Sequence, residues 1–348
     1  MKKFYGLELL RFLASLSIVI FHWGFSFAVL DLAENKTFNN IFEKLYLHGG
    51  VAVSIFFVIS GVVFSNIYLD EKNNSSFRNF FVKRFARLYP LHILTLFLII
   101  VIQFLFLKNF GSYQLYADND FYHFILNIFF LLGFGLEDGK SFNQPVWTVA
   151  LEIYIYFIFF FLITFIKKYQ ILFVIMVYLL ILLIDKTNFI NLNFKGRNLS
   201  YATPFIDFAR LFFSGVFIFL IEKKFKNSKY LLIVTISLFA FSIIGKFYFF
   251  ICLPSIVMLF VLLDKMTTSI QIRKVFEILG SLTYAMYLIH TVSFLYLLFI
   301  LRIFDGVSFF SSNYSFILYM IVTILLSLLS FNYFEKPLNL KIRKKLIK

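Results

Sequence analysis

The sequence predicts an all-α fold: a polytopic membrane helix bundle of about ten transmembrane helices, with both termini cytoplasmic. Three observations carry this expectation. Of its 348 residues, 61% are hydrophobic and only 15% charged, against about 25% charged in soluble domains, and the mean hydropathy is +0.87. Its 54 Phe and 20 Tyr bring more apolar surface than a soluble core of this size can bury. Its apolar runs recur near the length of about 20 residues that crosses a bilayer. The net charge of +15 does not point to a nucleic acid, because most basic residues sit in short runs beside those spans, where they orient membrane proteins.

Taken in order, the first span is 9–30. Lys2 and Lys3 precede it as in a signal peptide, but Glu8 and Arg11 interrupt the apolar run and no clear small-residue cleavage site follows, so it reads as a retained helix. Span 50–69 carries Gly49, Gly50, Ser54, Ser60 and Gly61, small residues that let helices approach closely. Span 88–107 follows Lys83, Arg84 and Arg87, and Pro90 suits a helix start. Then come 147–166, the shorter 170–184 beyond Lys167 and Lys168, 205–221, the close pair 230–245 and 247–263, 279–301 and 314–335. The piece 122–136, with His123 and Asn127, is too short to span and is expected to be re-entrant or interfacial. If it does not cross, the cytoplasmic loops hold more than twice the Lys and Arg of the outer loops; if it crosses, that bias disappears. Segment 185–204 is the longest clearly polar outer loop, and the basic tail after Pro337 resembles a surface anchor for anionic lipid. Cys252, the single cysteine, reads as a small buried hydrophobe. The whole chain, 1–348, is expected to be one integral-membrane domain.

Ionisable residues inside spans mark a bundle interior, a pathway or a site. Here they are Arg11, His22, His92, Glu152, Asp207, Arg210, His290 and, near a helix end, Glu335. Arg11 and His22 lie on one face of one helix, since eleven residues make about three turns and rise about 16.5 Å. Arg84 and Arg87 share a face just inside the membrane and suit either a phosphate clamp with forked hydrogen bonds or an ordinary basic anchor. Trp147 fits an interfacial belt, but Glu152, about 7.5 Å deeper, needs a partner: a His, an Arg or a substrate hydroxyl. His290 falls halfway along its span. Asp207 and Arg210 are spaced to neutralise each other. His92 reads as structural, and His48 and His123 as interfacial. No two His stand at metal-ligand spacing, so no metal is expected.

These residues resemble the integral-membrane acyltransferases of acyltransferase family 3, which O-acylate bacterial surface glycans. The resemblance covers nearly the whole chain. It rests on Arg11 and His22 separated by ten residues; Phe56, Phe57, Ser60 and Gly61 as Phe-Phe-x-x-Ser-Gly; Arg84, Arg87, Tyr89 and Pro90; Pro145, Trp147 and Glu152; Thr283, Tyr284, Tyr287, Leu288 and His290; and the closing Glu335-Lys336-Pro337. Each motif is weak alone, and their order and spacing make the match strong. Ser54 departs from the family's frequent acid two residues before the Phe pair. The chain resembles the stand-alone form, without the extracytoplasmic hydrolase-like domain of many relatives.

The resemblance implies acyl-CoA, commonly acetyl-CoA, as cytoplasmic donor, and as acceptor a hydroxyl of a glycan or lipid-linked saccharide: O-antigen, capsule or exopolysaccharide. Arg84, Arg87 and Arg11 are expected to bind the donor. His22 is expected as catalytic base, with Glu152 or His290 assisting, and Trp147, Ser60 and Tyr287 on the substrate side. The expected location is a bacterial inner membrane, with membrane lipid and no nucleic acid as partner. A covalent acyl-His22 intermediate is the alternative to direct transfer. The competing classes are a transporter or flippase for a lipid-linked glycan and a structural membrane scaffold.

Overall fold

The computed structural model describes residues 3–30, 49–69, 76–186, 193–194, 197–198, 202–225, 228–245, 251–264 and 269–347. Residues 31–48, with His48, and parts of 185–204 lie outside the described residues. The described helices are α1 (Tyr5–Leu30), α2 (Gly49–Tyr68), α3 (Phe77–Phe110), α4 (Phe121–Ile128), α5 (Val146–Lys186), α6 (Ala202–Lys224), α7 (Ser228–Ile244), α8 (Leu253–Leu263), α9 (Ile270–Ser281), α10 (Thr283–Ile303), α11 (Asn313–Ser330) and α12 (Lys336–Leu346). A π-helical turn, Phe331–Glu335, joins the last two. The strands among the described residues are two-residue pieces, β1 (Asn193–Phe194) and β2 (Arg197–Asn198), paired antiparallel. Among the described residues, 7 helices are long and apolar enough to cross a membrane, and three shorter apolar helices, Ile171–Leu180, Lys229–Ile244 and Leu253–Leu263, match the shorter expected spans. The protein is a polytopic helical membrane bundle.

Three elements differ from the sequence expectation in an instructive way. Helical structure runs unbroken over the 41 residues of α5, where two spans were expected. Lys167 and Lys168 polarise the junction, but neither Gly nor Pro is present to end the helix. The path nevertheless doubles back. A straight rod would set Trp147 and Tyr178 about 46 Å apart, yet the Trp147 ring lies 5.7 Å from that of Phe208, and Tyr178 lines one cavity with the same Phe208. Phe165 and Phe173 stack at 5.8 Å across the bend. The two expected spans are therefore the two arms of one sharply bent helix.

Pro90 sits inside α3 and not at its start. The helix begins at Phe77, capped by Ser76, whose side chain accepts from Asn79 N at 3.3 Å. Pro90 removes one intrahelical bond, and in that turn the Tyr284 hydroxyl donates to Leu88 O at 2.5 Å. The expected span 279–301 is divided at Leu282: α9 ends there, and α10 starts at Thr283.

The segment 122–136 follows its expectation. The eight residues of α4 rise about 12 Å, far short of a crossing. The chain then turns through Phe130, Gly133 and Gly135, all with positive φ.

Close packing of α2 on α6 positions the site. A Cβ on Gly61 would collide with the carbonyl of Phe212, and one on Gly215 with that of Val58. The contact is reciprocal and admits only glycine on each side. Around it, Phe57 stacks on Phe208 at 4.1 Å and Phe64 on Tyr156 at 3.7 Å.

Candidate active site

Two cavities meet at the Arg11 end of α1. The inner one, about 100 Å³, is lined by Arg11, Arg84, Arg87, Ser60, Glu152 and Tyr287, among others. A wider vestibule of about 350 Å³ shares Arg11, Arg87 and Tyr284 with it and opens past Lys3 and Glu335. The spacing of Arg84 and Arg87 on α3 aims both guanidiniums inward, and α1 brings Arg11 beside them. Arg84 lies over the Phe64 ring at 4.3 Å and donates to Tyr68 Oη at 3.4 Å. Arg11 faces Glu8 at 3.6 Å. At the rim, Lys3 donates to Glu277 at 2.6 Å, and this bond holds its ammonium above the ordinary lysine value.

Glu152 finds its partners inside this cavity. Its carboxylate accepts from Ser60 Oγ at 2.5 Å and from the Tyr156 hydroxyl, whose oxygen lies 3.1 Å from Ser60 Oγ. Two hydroxyls thus engage one carboxylate oxygen, Oε1, which offsets part of the burial cost of the charge. Three guanidiniums therefore border a space where Glu8 and Glu152 are already engaged. That arrangement suits a multiply charged anion.

The other end of the same face of α1 is built differently. His22 on α1 and His290 on α10 bring their rings to 4.7 Å between centroids. They line a chamber of only about 10 Å³ with Ser26, Tyr116, Thr291 and Tyr319. Ile18 O lies 2.9 Å from His22 Nδ1, and Met286 O lies 3.2 Å from His290 Nδ1. A carbonyl only accepts, so each neutral ring carries its proton on Nδ1, leaving Nε2 basic. His290 Nε2 has Thr291 Oγ1 at 3.3 Å.

Tyr287 stands between the two regions. It lines the arginine cavity, its ring lies 6.0 Å from that of His290, and its hydroxyl is fixed by Pro145 O at 2.8 Å and Thr148 Oγ1 at 2.6 Å.

Of the residues singled out in the sequence, the structure unites Arg11, Arg84, Arg87, Ser60, Glu152 and Tyr287 at one cavity, and His22 with His290 at the other. Glu152 is thus placed with the arginines and not beside the imidazoles. Trp147 packs on Phe208 and against Gly133. Arg210 pairs with Asp207, as their spacing predicts. His92 is buried with Nε2 2.9 Å from Asn127 O. Sequence reasoning missed the residues that roof the chamber. Leu115 adopts a positive φ of 66°, a conformation costly for a non-glycine residue, and lines the chamber with Tyr116. Gln103 holds that loop by two amide bonds, donating to Gln114 O at 2.7 Å and accepting from Gln114 N at 2.9 Å. The signal available was Gln103, an amide inside an apolar span. Among the described residues, no group of three or more His, Cys, Asp or Glu is placed to hold a metal ion.

The family model Acyl_transf_3, an acyltransferase domain, matches residues 4–331. The chain belongs to this acyltransferase family. The match takes in α1 through α11, and so both ends of the site. No curated protein and no solved structure matches the chain. The protein is a membrane acyltransferase, and its family calls for an acyl donor as co-substrate.

Proposed function

We propose that this acyltransferase moves an acyl group, acetyl foremost, from cytoplasmic acyl-CoA to a hydroxyl of a bacterial cell-surface glycan, with the chain acting as one integral-membrane domain of the inner membrane. The observation that carries the reading is the pairing along α1 of an arginine-lined cavity at Arg11 with an imidazole pair at His22, about 16.5 Å further along the helix. Arg11, Arg84 and Arg87 hold the donor's phosphates, and its thin thioester arm runs past Tyr287 towards His22. Glu152, fixed by Ser60 and Tyr156, borders that arm. The glycan enters from the side of the 111–120 loop, with Trp147 on the acceptor side.

His22 Nε2 takes the proton of the glycan hydroxyl as the oxygen attacks the thioester carbonyl. The tetrahedral intermediate collapses, the C–S bond breaks, and the departing thiolate takes the proton from the imidazolium. The products are an O-acyl glycan and free CoA. His290, in ring contact with His22 and held by Met286 O, orients the base.

The test is label transfer in liposomes containing purified protein, acetyl-labelled acetyl-CoA and glycan acceptor. Label on the glycan that depends on His22 supports the reading. Transfer that survives His22→Ala removes the base, and glycan translocation without acyl transfer replaces the reading with a transporter.

A further inference from the structure

The vestibule contains one group that phosphate binding does not explain. Of its three acids, Glu8 faces Arg11 and Glu277 binds Lys3. Glu335 is different: its Oε1 is buried and has no hydrogen-bond partner, although the residue lines the vestibule with Arg87 and Lys336. A lone carboxylate oxygen beside a phosphate-binding cluster weakens phosphate binding, so its place there calls for a ligand that also offers N–H donors. The backbone aims it deliberately. Glu335 ends the π-helical turn Phe331–Glu335, an irregularity frequent at functional sites. Phe331, Glu335 and Asn339 all line the same vestibule, each about one turn from the next. Together they supply an apolar ring face, a strong acceptor and an amide. An aromatic ring stacks on a base, a carboxylate accepts from an exocyclic amine, and Asn pairs with the amino and ring-nitrogen edge of adenine.

We propose that Phe331, Glu335 and Asn339 form a binding site for an aminopurine base, the nucleotide end of the acyl donor, with Glu335 reading the exocyclic amine. This rests on the acyl-CoA reading above. The base lies in the wide vestibule, Arg11 and Arg87 take the adjoining phosphates together with Arg84 at the inner cavity, and the thioester arm continues inward from there.

The experiment is equilibrium binding to the full-length protein in detergent, with coenzyme A and its hypoxanthine counterpart, in which a carbonyl replaces the amine. The wild type is expected to prefer coenzyme A by about tenfold or more, the scale of one hydrogen bond to a charged group. Glu335→Gln, whose amide donates to that carbonyl, is expected to shrink or reverse the preference. Asn339→Ala is expected to weaken both purine ligands and leave 4′-phosphopantetheine binding unchanged. An equal preference in the wild type and Glu335→Gln overturns the base site while the donor reading stands. Failure of the wild type to bind either purine thiol overturns both.

Discussion

At Arg11, α1 borders a cavity of about 100 Å³ shared by three guanidiniums, a carboxylate and several hydroxyls. At His22, the same helix borders about 10 Å³ enclosed by two imidazoles and aromatic rings. One end is roomy and its charge is spread over several side chains; the other is tight and its chemistry rests on one basic nitrogen. The difference separates holding from reacting. Where several cations share an anion, loss of one weakens binding by a part. Where one imidazole moves the proton, its loss removes the step. Tyr287, seated between the two and pinned by Thr148 and Pro145, keeps them apart.

The largest effect expected falls at the tight end. His22→Ala should lower the turnover number for acyl transfer by about 10²–10⁴-fold, the usual worth of a positioned general base, with the donor KM nearly unchanged. Steady-state kinetics with labelled acetyl-CoA measures both. A variant that instead raised donor KM and spared turnover would erase the distinction between the two ends. At the roomy end, Arg87→Ala should raise donor KM by roughly tenfold to a hundredfold, from the 1.5–3 kcal/mol of a charge-assisted hydrogen bond, and change turnover by only a few fold. Added salt should shrink that penalty, because screening weakens the wild-type contact first.

The two ends were not equally legible in the sequence. Arg11, Arg84 and Arg87 announce themselves because charges inside or beside apolar spans are rare, and the i, i+3 spacing of the last two already puts them on one face. His22 and His290 are visible as costly residues, but their ring contact depends on the crossing of α1 and α10, which no local pattern encodes. Glu152 illustrates the limit most clearly. Its need for a partner is evident, yet whether that partner is an imidazole or the Ser60 and Tyr156 hydroxyls depends on where α2 packs. The bend of α5 was signalled by polarity at Lys167 and Lys168, although its helical continuity was not, since charge ends a membrane span without ending a helix. Leu115 itself carries no sequence signal, because a leucine in a left-handed conformation looks like any other leucine; only Gln103, an amide inside an apolar span, pointed to its loop.

A smaller change can test whether the roomy end depends on the glycine crossing. Gly61→Ala places a methyl against the Phe212 carbonyl and must push α2 away from α6, at an overpacking cost of about 1–3 kcal/mol. Thermal unfolding of the purified protein should show the loss. Ser60, next in sequence, should drift from Glu152, so donor KM should rise while turnover by His22 is retained. A fall in turnover with unchanged donor KM would mean that the α2–α6 contact supports the imidazoles and not the arginines.

The smallest effect expected lies above the tight end. Asp120 caps α4, accepting from His123 N and from His123 Nδ1, both at 2.8 Å. These bonds hold its carboxyl below the ordinary Asp value. A depressed carboxyl stabilises the fold above its unfolded pKa of about 4, and that contribution is lost as pH falls through the lower folded value. From α4 the linkage passes through Asn127, which meets His92 at 2.9 Å and Ser141 at 3.3 Å, to Asn143, which donates to Leu288 O at 3.1 Å on the helix of His290. Asp120→Ala should cost about 1 kcal/mol, as cap removal usually does, and flatten the acid limb of the stability profile, which pH-dependent thermal unfolding reads directly. If the cap steadies the histidine chamber, acceptor KM should rise by a few fold with donor KM constant. A rise in donor KM instead would tie the roof to the arginine cavity and show the two ends to be one mechanical unit.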